Sequence, residues 1–236
     1  MFTHIPLTLP VLTQHTEENG DRYYTREGSD YRYSSVTRFI GENWDKKFLD
    51  KWKKRVGLVK AASQSKWATE RGTSLHTITE KYLSNDEAGY REILNEDRMN
   101  KGLFLKIKPE LNKISNIRVL EKALYSDELK LAGTSDVIAD YDGVFSTIDI
   151  KGSTKEKLES YISNYWIQTA IYSRMFQELF NTMPMQSVIL MAVEDNPTAS
   201  VFIEPSMKGQ LRLQEFLSDP VVFQENLNEA KKRARN

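Results

Sequence analysis

Cysteine is missing altogether from this chain of 236 residues. That absence excludes disulfide bridges, thiolate zinc sites and iron–sulfur clusters, so any metal here must be held by oxygen and by histidine nitrogen. Histidine is scarce too, with 3 in the whole chain. No apolar run is long enough to span a bilayer, so no membrane role is expected. Neither charge sign is in excess: 33 Lys and Arg face 33 Asp and Glu. Bulk charge therefore gives no pull toward nucleic acid, and such a role would need charge segregated locally. Residues 1–20 lack the charged start and apolar middle of a signal peptide. They also carry Glu17 and Glu18 and no arginine, which argues against a transit peptide. No GxxxxGK[ST] phosphate loop is present, so no nucleotide cofactor is expected. What remains is 39% hydrophobic and 28% charged, the balance of a globular chain with a sizeable core.

Along the chain, residues 1–20 read as an irregular lead-in. "RYYTREGSDYRYSS" reads as a hairpin, with aromatics alternating about a Gly-containing turn. "SSVTRFI" offers Ser or Thr as a helix cap. In "WDKKFLDKWKKRVG", Trp44, Phe48 and Trp52 recur every four residues, which predicts a helix ended by Gly57. Its outer face is basic: Lys46, Lys47, Lys51, Lys53, Lys54 and Arg55. "SQSKWATERGTSLHTITEKYLSN" predicts a second helix with Leu75, Ile78 and Tyr82 as its apolar stripe. Residues 86–114 predict two helical pieces, broken near Lys101 and Gly102. The period then changes from 3.6 to 2. "IRVLEKALYSD", "LAGTSDVIADY" and "VFSTIDIKG" predict three successive antiparallel strands, with Asp142-Gly143 as a hairpin turn. A long helix is expected over 156–181, two strands in "QSVILMAVED" and "ASVFIEP", and a helical tail from Ser206 ending in "KKRAR". The layout is a single domain over 1–236. It has a lead-in and hairpin (1–33), a mainly helical part (34–114), a sheet core with the long helix (115–205) and C-terminal helices (206–236). The fold class is α/β: a sheet flanked by helices, with an N-terminal helical region.

The chemistry concentrates in "LAGTSDVIADYDGVFSTIDIKGS". Alternation sends Asp149 and Lys151 to one side of their strand and Ile148 and Ile150 to the other. Asp136 lies on the preceding strand of the hairpin. Carboxylates this close repel each other unless a cation lies between them. Mg²⁺ or Mn²⁺ suits such a hard oxygen cage. A lysine beside it can hold water or offset developing charge. An acid two before a lysine also occurs at Asp45/Lys47, Glu128/Lys130 and Glu229/Lys231, where a solvated face is the plain reading. Only Asp149/Lys151 sits in an apolar, β-branched strand behind an acid-bearing partner. His76 shares a helical face with Gly72 and Glu80, at i, i+4 and i+8. That face reads either as an ordinary polar stripe or as a metal ligand with Glu80 behind it as support or further acid. Gly72 would allow a ligand or backbone to come close. In "NYWIQTAIYSRMF", Gln168 and Tyr172 share a face that could meet a DNA strand by hydrogen bond and stacking, or could simply edge the core. Lys155 and Lys157, in the preceding connection, could meet phosphates.

Read in order, "RGTSLHTITEKYL", "VLEKALYS", "GTSD", "IDIK" and "QTAIY" resemble the RecB-like branch of the PD-(D/E)XK nuclease superfamily. The likeness is closest to the mitochondrial genome maintenance exonucleases with their phage and bacterial relatives, and it covers roughly 34–180. It implies a restriction-endonuclease-like mixed β-sheet core. It implies His76, Asp136 and Asp149 as metal ligands, with the Ile150 carbonyl as a further one, and Lys151 as the catalytic lysine. Gln168 and Tyr172 match a motif tied to DNA contact, and Glu121 and Glu80 match acids near such sites. Ser135, not proline, precedes Asp136. The implied activity is a Mg²⁺- or Mn²⁺-dependent exonuclease on single-stranded DNA ends. A flap- or junction-cutting endonuclease and a nucleic-acid-binding protein without turnover are the alternatives. The basic helix at 46–55 and the tail near Lys231 would add phosphate contacts. With no transit peptide visible, a cytoplasmic setting in a bacterial or phage-infected cell is expected over a mitochondrial one. Nothing in the sequence names a protein partner.

Overall fold

The computed structural model describes residues 1–96 and 98–233, apart from the side chains of Phe48, Glu96, Arg98–Asn100 and Arg233. Eight strands form one mixed sheet: β1 (Leu12–Thr16), β2 (Arg22–Arg26), β3 (Arg32–Ser35), β4 (Ile114–Ser126), β5 (Leu131–Tyr141), β6 (Val144–Ser153), β7 (Gln186–Val193) and β8 (Ser200–Pro205). The helices are α1 (Val36–Asn43), α2 (Lys47–Val56), α3 (Leu58–Leu83), α4 (Glu87–Glu96), α5 (Arg98–Leu111), α6 (Ser163–Phe180), α7 (Ser206–Ser218) and α8 (Pro220–Arg233). This is the expected α/β class, a restriction-endonuclease-like sheet between helices. None of the described helices is long and apolar enough to cross a membrane.

The sheet's centre is covered on both faces, so β5 and β7 are buried along almost their whole lengths. One cluster joins Leu75 and Ile78 of α3 and Phe104 and Ile107 of α5 to Val137, Ile148, Ile150 and Leu190. A second joins Val36 and Ile40 of α1, Ile167 and Ile171 of α6 and Phe216 of α7 to Ile138. The β5–β6 hairpin turns at Asp142 (φ 51°) and Gly143 (φ 81°), the left-handed pair that a two-residue turn needs.

One irregularity of the sheet matters for everything that follows. β4 pairs with β5 from Leu131 to Tyr141 and so occupies one of its edges. The other edge is divided: parallel β3 takes Leu131 and Ala132, and antiparallel β6 takes Val137 to Tyr141. Between them, residues 133–136 face a gap in the sheet.

Several boundaries differ from expectation. The lead-in is not irregular: β1 pairs with β2, and His4 bridges to Ile117. "LTQHT" carries no apolar alternation, so only its hydrogen-bonded neighbour makes it a strand. Trp44 caps the end of α1 instead of sharing a helix with Trp52, and its ring packs on Phe216 and Phe223. Phe48, the middle of that expected stripe, has its side chain outside the described set. Lys101 and Gly102 lie inside α5, so the break expected at these two residues is not there. The long helix starts at Ser163. The stretch before it is exposed at Lys155 and Glu156, offers no apolar face, and makes only a short 3₁₀ turn at Glu159–Tyr161. The end of the "KKRAR" run lies outside the described residues.

Candidate metal centre

The gap opens into a cavity of about 450 Å³ lined by Arg22 and Tyr24 of β2, Thr37 of α1, Gly72, His76 and Glu80 of α3, Glu121, Asp136, Lys151, Gln168 and Tyr172, among others. The helical period does what the sequence implied on α3. Gly72, His76 and Glu80 all face the cavity, while Leu75 and Ile78 are fully buried behind them. A Cβ on Gly72 would meet nothing within 4 Å, so that part of the wall is open.

Asp136 and Asp149 meet where β5 and β6 part. The ladder ends at Val137 with Ile148, and the next pair would be the two aspartates. Instead the Ile150 N–H donates to Asp136 Oδ2 at 2.7 Å. Asp149 is 2% exposed, and its Oδ1 accepts from Lys151 Nζ at 2.7 Å. Its Oδ2 is buried and accepts no hydrogen bond from the protein.

Glu121 arrives by a different route. β4 pairs Leu120 with Val137 and Lys122 with Ser135, so Glu121 falls opposite Asp136. Its backbone is left-handed, φ 47°, a conformation that costs a non-glycine residue about 1–2 kcal/mol. Side-chain alternation also inverts here: Val119 and Leu124, five apart, share one hydrophobic cluster, as do Leu131 and Ile138, seven apart. The Glu121 carboxylate meets His76 Nδ1 at 2.9 Å, and the same nitrogen lies 3.6 Å from Asp136. One ligand atom each from His76, Glu121 and Asp136 lies within 4.8 Å of the others, a spacing that could hold a metal ion.

Charge is unevenly balanced in this site. The Asp136 carboxylate raises His76 from 6.5 to about 9, against its burial and with help from Glu121. Burial pushes the Asp149 carboxyl up, which Lys151 partly reverses. Burial alone would lower Lys151, but Asp149 and Asp136 hold it above the usual lysine range. A centre of one imidazole and crowded carboxylates, one buried oxygen of which accepts nothing, suits a divalent ion that takes oxygen ligands and tolerates one nitrogen.

The other expected residues divide. Gln168 lines the cavity and also a neighbouring one of about 500 Å³ that includes Ile40 and Trp44. Tyr172 lines it too, but is only 3% exposed, with its hydroxyl against Gly133, so it has no free ring face for a base to stack on. Burial drives its phenol well above the ordinary range. Lys155 and Lys157 do not line the cavity. Lys155 is exposed, and Lys157 donates to Tyr165 Oη at 2.7 Å. Sequence reasoning missed Arg22 and Thr37, both exposed on the cavity wall; near it but outside its lining lies Arg71, missed as well. Arg71 is 6% exposed, stacks 4.5 Å over Trp67 and pairs with Glu194.

Fold and site together define an α/β protein with a candidate metal-binding cavity at a break in its sheet. Two proteins named mitochondrial genome maintenance exonuclease 1 are similar to it. The human one is 27% identical over 199 residues, covering 77% of this chain and 57% of the human protein. The mouse one is 30% identical over 130 residues, covering 52% of this chain and 38% of the mouse protein. The chain thus spans about half the length of these curated relatives. No family model matches it.

Proposed function

We propose that this chain is a nuclease domain of the RecB-like PD-(D/E)XK kind: a Mg²⁺- or Mn²⁺-dependent exonuclease that hydrolyses DNA from single-stranded ends. The observation that carries this reading is the convergence of His76, Glu121 and Asp136 from three separate elements, beside the Asp149–Lys151 pair. Similarity to proteins named exonucleases supports the reaction class.

His76, Glu121 and Asp136 would hold the ion, with the Asp149 carboxylate and the Ile150 carbonyl as further oxygens. The chemistry it supplies when bound is Lewis acidity toward a phosphate oxygen and acidification of water. The chain's own groups do the rest. Lys151 carries three N–H donors and no acceptor, and one of them is taken by Asp149. The others can hold the attacking water or offset negative charge as the phosphorus–oxygen bond breaks. Asp149, in turn, fixes the ammonium in place. Gln168, on the cavity wall beside Tyr172, would offer its amide to a base or sugar, and Tyr172 backs Gly133 on β5.

The test is digestion of end-labelled linear single-stranded, duplex and circular single-stranded DNA in EDTA, Mg²⁺ or Mn²⁺. Linear single strands should shorten from their ends only with metal, and circles should survive. Asp149→Ala should fold and lose the activity. Cut circles would instead mark an endonuclease. Binding without degradation in every metal would mark a nucleic-acid-binding protein.

A further inference from the structure

The cavity that would receive a polyanion is walled by carboxylates: Glu80, Glu121 and Asp136 line it, and Asp149 lies behind. Two of its cations are already committed. Lys151 is held by Asp149, and His76 lies between Glu121 and Asp136. Arg22 is different. It is exposed on β2, and among the described residues it has no carboxylate within ion-pair distance. Its Nη2 donates to Thr37 Oγ1 at 3.0 Å, which ties the guanidinium to the first turn of α1 and leaves its other donors available.

Topology says where this cation stands. β2 adjoins β3, which pairs with β5 on one side of the gap, and β6 with Lys151 lies on the other side. Arg22 and Lys151 line the same cavity from these two sides, so a chain of phosphates laid across the gap could run from one to the other. The planar guanidinium fork matches a phosphate's oxygens in a way a lysine does not. We propose that Arg22 binds a backbone phosphate next to the one being cleaved and thereby sets how the strand lies in the cavity. This role presupposes that the cavity takes nucleic acid.

Fluorescence anisotropy of a labelled oligothymidylate in EDTA tests it without turnover, across a series from about 50 to 200 mM NaCl. R22A should weaken binding about tenfold and make the log–log salt slope shallower by about 0.7, the loss of one single-strand phosphate contact. R22K should keep the slope and bind several-fold more weakly than wild type, because the charge stays and the fork goes. R22A should melt like wild type, since the side chain is exposed; R22Q takes its place if R22A does not fold. With Mn²⁺ present, R22A should raise KM more than it lowers kcat. Wild-type affinity and slope in R22A would overturn the role of Arg22 while leaving the nuclease reading intact. Failure of the wild-type protein to bind the oligonucleotide in EDTA and with Mn²⁺ alike would overturn both.

Discussion

Raising the pH of the metal-free protein should cost it stability, and His76 sets how much. The imidazole lies 2.9 Å from Glu121 and 3.6 Å from Asp136, and the charge of Asp136 is the main reason its pKa rises from 6.5 to about 9. In the unfolded chain neither carboxylate is held nearby, and the ring titrates near its ordinary value of about 6.5. A group whose folded pKa is raised lends stability that is fully present below the unfolded pKa and is lost as pH climbs through the folded one. The window is therefore pH 6.5 to 9. At about 1.4 kcal/mol per pKa unit, this interval comes to roughly 3 kcal/mol. The raised carboxyl of Asp149 has the same sign, but its loss, at about pH 6, comes below this window, and Lys151 keeps its proton throughout. For a chain of this size each kcal/mol moves the Tm by about 2–4 °C, so melting in EDTA should fall by roughly 6–12 °C between pH 6.5 and 9.5. Calorimetry or circular dichroism reads this directly, and His76→Gln should flatten the curve. An unchanged slope in that variant would refute the argument. Mn²⁺ supplies the complementary arm. A histidine must lose its proton to bind a metal, so the stabilisation that Mn²⁺ gives should grow from pH 6.5 to 8. Stabilisation independent of pH would remove His76 from the ligand set.

Glu121→Gly and Glu121→Ala both delete the carboxylate, but only glycine accepts φ 47° freely. The glycine variant should therefore unfold in urea at about 1 kcal/mol higher stability than the alanine variant, and neither should gain wild-type stabilisation from Mn²⁺. Equal stabilities would mean that the backbone carries no strain there. In Gly133→Ala the new Cβ would lie 2.8 Å from Tyr172 Oη and 3.1 Å from Val36 Cγ2, costing about 1–3 kcal/mol. The same change in a Tyr172→Phe background should cost measurably less, and an equal cost would show that the hydroxyl is not the obstacle.

How much of this could be read from the sequence depended on how local the signal was. Asp149 and Lys151 stood out because acid and base interrupt a β-branched strand, and Asp136 followed from the hairpin turn that pairs its strand with theirs. His76 was legible through the helical period that puts it in line with Gly72 and Glu80. Glu121 was not: in "IRVLEKALYSD" it is one charge among several. Its place depends on a left-handed backbone and on the register of β4 against β5, neither of which leaves a mark in the residue pattern; only family likeness pointed to it. Arg22 was hidden for a related reason. Its strand reads as half of a surface hairpin, and nothing local says that β3 carries that hairpin to the edge of β5. Lys155 and Lys157 read as phosphate contacts from charge alone, and charge alone does not fix direction.

The gap in the sheet explains why the site is where it is. Continuing the β5–β6 ladder by one pair would set Asp136 and Asp149 side by side in a buried row, where like charges repel. The strands part at that point, and Asp136 takes the Ile150 N–H in place of a ladder bond. The region then combines a buried carboxylate oxygen without a donor and a glutamate with a left-handed backbone inside a strand. Each is locally unfavourable, and the hydrophobic clusters on the two faces of the sheet hold them together. A cation placed among these carboxylates would offset their repulsion. On the proposed reading an ion would sit among these carboxylates, while the surrounding fold, not the ion, holds the left-handed backbone of Glu121 in place.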